Sequence, residues 1–169
     1  DNPNYYFSLF DIYLDENELD KAGLLGDKLI TNFPEDWRGY YSRSLVFMNE
    51  KDNKSVISLL APVAITFEKI FSIQYLMGLS NYQIKEYVET EKYFVNALKI
   101  RPDSRNVLHS MAILYDEIDQ FEKSDSIYIK LINIDNKDAQ AYNNYAYSLV
   151  EREIELKKAL DLASKAIEL

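Results

Sequence analysis

The chain has 169 residues, 47% of them apolar and 14% aromatic, which is enough burying power for a packed core and excludes a disordered segment. Its 28 acidic against 19 basic side chains leave a net charge of −9 and argue against a nucleic-acid partner, because phosphate contacts need Lys and Arg. With no cysteine, only four Gly and four Pro, and no apolar run near the ~18 residues of a membrane span, the composition excludes a disulfide framework, a loop-rich β fold and membrane insertion by this segment.

One lag orders the remainder. Pro34 and Pro102 lie 68 residues apart, twice 34, and a further 34 reaches Asn136 in the turn-like stretch Asp135-Asn136-Lys137-Asp138. The first unit, residues 3–36, carries Phe10, Tyr13, Ala22 and Leu29 and closes on Pro34-Glu35-Asp36, whose Asp is available to cap the next helix. Gly23 and Gly26 fall in its second helix and are expected to weaken it by roughly 1 kcal/mol each relative to Ala. The second unit, 37–70, sets Ser44, Phe47, Val56 and Val63 at the equivalent positions but lacks a closing Pro. Its Pro62 falls where a second helix should run, without an N–H and against the carbonyl of Ser58. That predicts a kink, or a helix that ends near Ala61 and restarts with Pro62 in its first turn.

In the third unit, 71–104, Tyr75, Leu76, Leu79 and Tyr82 keep helical spacing, and Tyr87, Phe94, Ala97 and Leu98 resume it after the polar break at 83–86. Asn81 interrupts the aromatic column of Tyr13, Phe47 and Tyr115, and Pro102-Asp103-Ser104 offers another cap. The fourth unit, 105–138, repeats the pattern with Ala112, Tyr115, Ser124 and Leu131. The fifth, 139–169, opens on Ala141-Tyr142-Asn143-Asn144-Tyr145-Ala146-Tyr147. Its Ala159, Ala163 and Ala166 fit a second helix only if one extra residue sits between Glu151 and Lys157. Small side chains recur in two columns, Ser44, Gly78, Ala112, Ala146 and Ala22, Val56, Thr90, Ser124, as close helix approach requires.

These residues resemble the tetratricopeptide repeat, a 34-residue helix-turn-helix with the pattern W-x2-L-G-x2-Y, A-x3-F, P. Met77-Gly78, Thr90, Phe94, Ala97 and Pro102 match in the third unit, and Met111-Ala112, Tyr115, Ser124, Tyr128, Leu131 and Asn136 in the fourth. The second unit departs from it with Arg43-Ser44 at the L-G pair. The resemblance implies an all-α fold, a right-handed superhelical solenoid of about five repeats forming a single domain over 1–169. It also implies a concave groove lined by first helices at consensus positions 2, 5, 6, 9, 12 and 13. The candidate partner-binding residues are then Arg38 and Asn106 at position 2; Phe7, Tyr41, Tyr75, His109 and Asn143 at position 5; Leu45, Leu79, Ile113 and Tyr147 at position 9; and Tyr82 at position 12. Such a groove is aromatic and apolar in its middle, with amides toward the C-terminal end. Position 5 carries no Lys, so the carboxylate clamp that related domains use for chaperone tails is absent. Asp11, Asp15, Asp116, Glu117 and Glu151 also fall on groove positions, where they either favour a basic partner or form a solvated acidic face.

Catalytic chemistry finds little support. His109 is the only imidazole, which excludes a multi-His metal site. No phosphate-binding glycine loop occurs, and Asp135-Asn136-Lys137-Asp138 lacks the central Gly of a calcium loop. The sequence therefore reads as a non-catalytic scaffold, without cofactor or metal, that binds a protein or peptide segment in its groove. The alternative is a self-association or assembly module attached to a larger protein, acting as a homo-oligomer through the terminal repeat, where Leu160, Ala163 and Ile167 have no downstream cover.

Overall fold

The computed structural model describes residues 2–169, and among them the chain forms ten α-helices, one 3-10 turn and no strand. They follow as α1 (Pro3–Asp15), α2 (Leu19–Asn32), α3 (Trp37–Asn49), α4 (Asn53–Leu60), α5 (Phe71–Gln83), α6 (Tyr87–Ile100), α7 (Arg105–Glu117), α8 (Phe121–Ile134), α9 (Ala139–Glu151) and α10 (Leu156–Glu168). The first helices of successive pairs start at 3, 37, 71, 105 and 139, a constant step of 34. By contact density the chain divides into two compact units, Asp1–Arg101 with α1 to α6 and Pro102–Leu169 with α7 to α10.

Capping explains several starts. Asn2, Asp36, Asp52 and Asp138 each turn a side-chain oxygen onto a first-turn N–H of the helix that follows. Ser104 stands at the N-cap of α7, but its hydroxyl makes no capping bond there. Four of the pairs turn through three residues, and within each turn one residue is left-handed: Asn17, Lys51, Lys85 and Asp119, with φ between 56° and 65°. The fifth turn, residues 152–155, holds the extra residue the sequence requires and has two left-handed positions, Glu153 and Glu155.

The first unit keeps two apolar clusters, Phe10, Ala22, Leu25 and Val46, and Val56, Leu60, Phe67, Ile73, Leu76 and Met77. The small-residue columns mark close approach. A Cβ at Gly78 would lie 2.4 Å from the Phe94 ring, which joins α5 to α6. One at Gly39 would lie 2.8 Å from the Ile30 nitrogen, and one at Gly26 3.0 Å from the Arg43 nitrogen. The glycine in α2 that reads as a weak point in the sequence thus sits where the backbones of α2 and α3 meet. Asn81, the break in the aromatic column, is buried and satisfied, donating from Nδ2 to the Met77 carbonyl at 2.7 Å.

Pro62 ends α4 early. The helix stops at Leu60, and Pro62 occupies the first turn of a 3-10 segment, Ala61–Val63, after which the α-helix does not resume. Turns then deliver buried Phe67 against Tyr40, ring centroids 5.3 Å apart, before α5 begins. In the second unit, Tyr128 of α8 stacks on Tyr145 of α9 at 5.4 Å, and Leu108, Leu114, Leu131 and Leu149 are buried. Among the described residues, no helix is long and apolar enough to cross a membrane.

Candidate partner-binding faces

In the first unit, α3 packs against both α1 and α5, which brings the position-5 aromatics of neighbouring pairs together. The Phe7 ring lies 6.3 Å from Tyr41 and 6.5 Å from Trp37, with Trp37 and Tyr41 5.7 Å apart. Arg38 sits over Phe7 at 5.9 Å, donates to both oxygens of Asp36 and also reaches Asn4 Oδ1. Burial and the nearby Asp11 carboxylate push the Tyr41 hydroxyl above its ordinary pKa. Tyr75 stacks on Phe71 at 6.0 Å and meets Phe94 at a tilt at 6.1 Å, and Tyr82 meets Tyr87 at 6.2 Å. Phe7, Arg38, Tyr41, Leu45, Tyr75, Leu79 and Tyr82 are all half-buried: each packs one part of its side chain and leaves another at the surface. Trp37, missed in the sequence because it stands at the first position of its repeat, completes this aromatic face.

The second unit is different. Its Ile113 and Tyr147, at position 9 of consecutive pairs, are 37% and 64% exposed and line one cleft of about 630 Å³ between α7, α8 and α9. Asp116 lies in that cleft as the meeting point of three helices. Its Oδ1 accepts from Ser124 Oγ at 2.5 Å and Ser148 Oγ at 2.8 Å, and its Oδ2 accepts from the Tyr128 hydroxyl at 2.8 Å. Burial, then the Asp116 charge, drives the Tyr128 pKa far above its ordinary value, so this hydroxyl stays a donor. Arg152 closes one wall. It binds Asp125 at 2.6 Å and covers the Phe121 ring at 4.8 Å. Glu117, Asp119 and Glu151 complete an acidic rim. A hollow of about 720 Å³ elsewhere is lined by seven consecutive residues, Asn32 to Arg38, and gathers nothing beyond that turn.

His109 is corrected by this geometry. It is buried rather than presented to a partner, with Nε2 2.9 Å from Asp138 Oδ2, where Arg105 also donates at 2.9 Å and 3.1 Å. It packs because the start of α9 brings the Asp138 carboxylate over it, a contact 29 residues away in sequence. Asn106 and Asn143 are exposed but outside the cleft; Asn144, not Asn143, supplies the amide in its lining. The hub of Asp116, Ser124, Tyr128 and Ser148 was legible only as Asp116 on a groove position. Ser124 reads as a small packing residue in the sequence, and Ser148 carries no signal there. Among the described residues no group of three or more His, Asp or Glu side chains is placed to hold a metal.

Comparison with known proteins places this geometry in a class. No family model matches the chain. It is 23% identical over 144 residues to the TPR repeat-containing protein MJ1428 of Methanocaldococcus jannaschii, covering 80% of this chain and 25% of that one, so it spans about a quarter of that relative's length. Among solved structures it is similar to MamA residues 41 to the end from Desulfovibrio magneticus RS-1, with TM-score 0.87 and 17% identity over 99% of this chain and 94% of that one. It is also similar to YrrB, described as a TPR protein with an unusual peptide-binding site, with TM-score 0.79 and 16% identity over 96% and 84% of the two chains. The fold is the all-α helix-turn-helix solenoid of tetratricopeptide-repeat proteins, as the sequence resemblance implies.

Proposed function

We propose that this chain is a non-catalytic interaction scaffold, its five helix pairs acting as one module that receives a protein segment on the edges of its first helices. The observation that carries the reading is the pairing of exposed Ile113 and Tyr147 one repeat apart beside a cleft. Large apolar side chains that line a cavity instead of filling it are typical of sites that take a ligand. The half-buried Phe7, Trp37, Tyr41 and Tyr75 supply rigid rings that lose little rotamer freedom on binding. Similarity to a protein described as having a peptide-binding site supports the same reading. The test is binding of candidate protein segments by wild type, by Tyr147→Ala with Ile113→Ala, and by Tyr41→Ala, Tyr75→Ala and Leu79→Ala together. Loss of capture with helicity retained is expected; undiminished capture by both variants rejects the groove.

A second reading, self-association, rests on one feature. Helix α10 buries only Ala159, while Leu156, Leu160 and Ile167 are 57%, 67% and 87% exposed along one side. An apolar stripe of that length is the kind of surface a second copy covers.

A further inference from the structure

We propose that the cleft of the second unit selects a cationic side chain, arginine above all, carried next to an apolar residue in an extended peptide segment. The proposal rests on the reading above that the first-helix edges receive a protein segment, and it names the chemistry of that segment. The cleft has two kinds of wall. Ile113 and Tyr147 offer apolar area and an exposed aromatic face, whereas Asp116, Glu117, Asp119 and Glu151 bring four carboxylates to the same space. The one guanidinium in the lining, Arg152, is held by Asp125 at 2.6 Å and 3.3 Å and lies against Phe121.

Asp116 shows why a cation is needed. Both its oxygens take hydrogen bonds from hydroxyls alone, those of Ser124, Ser148 and Tyr128, which fill three of its roughly four acceptor sites and bring no counter-charge. A purely apolar segment seated here would strip water from Asp119 and Glu151 and return no counter-charge. An acidic one would meet repulsion from the carboxylate wall, while Arg152 is already held by Asp125. A guanidinium answers both walls. Its planar donors match carboxylates at the rim, and its face stacks on a tyrosine ring. The apolar neighbour in the segment then covers Ile113.

The test titrates the full 169-residue chain with fluorescent twelve-residue peptides that share one leucine-containing frame and carry Arg, Lys, Gln or Glu at the central position. Arg should bind best, Lys next, Gln about tenfold more weakly and Glu not at all. Asp119→Asn with Glu151→Gln should weaken the Arg peptide about tenfold and leave the Gln peptide unchanged, and raising salt should weaken only the cationic peptides. Both carboxylates are at the surface, so unchanged circular dichroism is expected of the variant. Equal binding of Arg and Gln peptides overturns the cation preference while leaving segment binding intact. A preference for Glu, or no binding by any of the four, overturns the proposal. The variants at Tyr41, Tyr75 and Leu79 still test the broader reading independently.

Discussion

At the residue scale, one backbone angle recurs with the repeat. Asn17, Lys51, Lys85, Asp119 and Glu153 are 34 apart and all left-handed, a conformation in which a Cβ costs roughly 1 kcal/mol and which glycine adopts freely. Lys85→Gly should therefore raise the stability of the first unit by about 0.5 to 1 kcal/mol in urea unfolding. Gly39→Ala should do the reverse, costing about 1 to 3 kcal/mol despite alanine's better helix propensity, since its methyl would meet the Ile30 nitrogen at 2.8 Å. If Gly39→Ala stabilises instead, propensity outweighs packing where α2 and α3 meet. Neither position stands out in the sequence. Lys85 reads only as part of the polar break at 83–86, and Gly39 carries no signal until its neighbour is seen.

At the scale of elements, the start of α9 is held by a buried charge cluster. Asp138 caps the helix through the Ala141 N–H at 3.1 Å while its other oxygen takes His109 and Arg105 from α7. Burial opposes its ionisation, but the bonds from Ala141, His109 and Arg105 outweigh it and hold the carboxyl below its ordinary pKa. A carboxyl depressed by folding adds stability that is fully present above its unfolded value of about 3.9 and is lost as pH falls through the folded value. Asp138→Ala should cost about 2 kcal/mol at pH 7 and should flatten the fall in urea midpoint between pH 5 and pH 2. A variant that loses stability with acid as steeply as wild type would remove Asp138 from that role. The early end of α4 was legible from Pro62 alone, because a missing donor and a ring clash are local facts. What replaced the lost turns was not legible. It is set by Phe67 reaching Tyr40.

At the scale of the molecule, α10 is the helix with the most to gain from a partner. If Leu160 and Ile167 are covered by a second copy, light scattering should show mass rising with concentration, and Leu160→Lys with Ile167→Lys should hold the chain monomeric at the same helicity. Concentration-independent monomer in wild type rejects self-association through this face. By itself, the sequence determined the class of fold and the step of 34, because helical spacing, small-residue columns and prolines are written at fixed intervals along one chain. Only the tertiary structure decided which of those residues meet. It buried His109 under an aspartate 29 residues away, gathered Asp116, Ser124, Tyr128 and Ser148 from three helices, and left Tyr147 at the mouth of a cleft. The reason is physical: periodicity assigns each side chain to a face of its own helix, but burial and hydrogen bonding depend on what the neighbouring helix brings to that face.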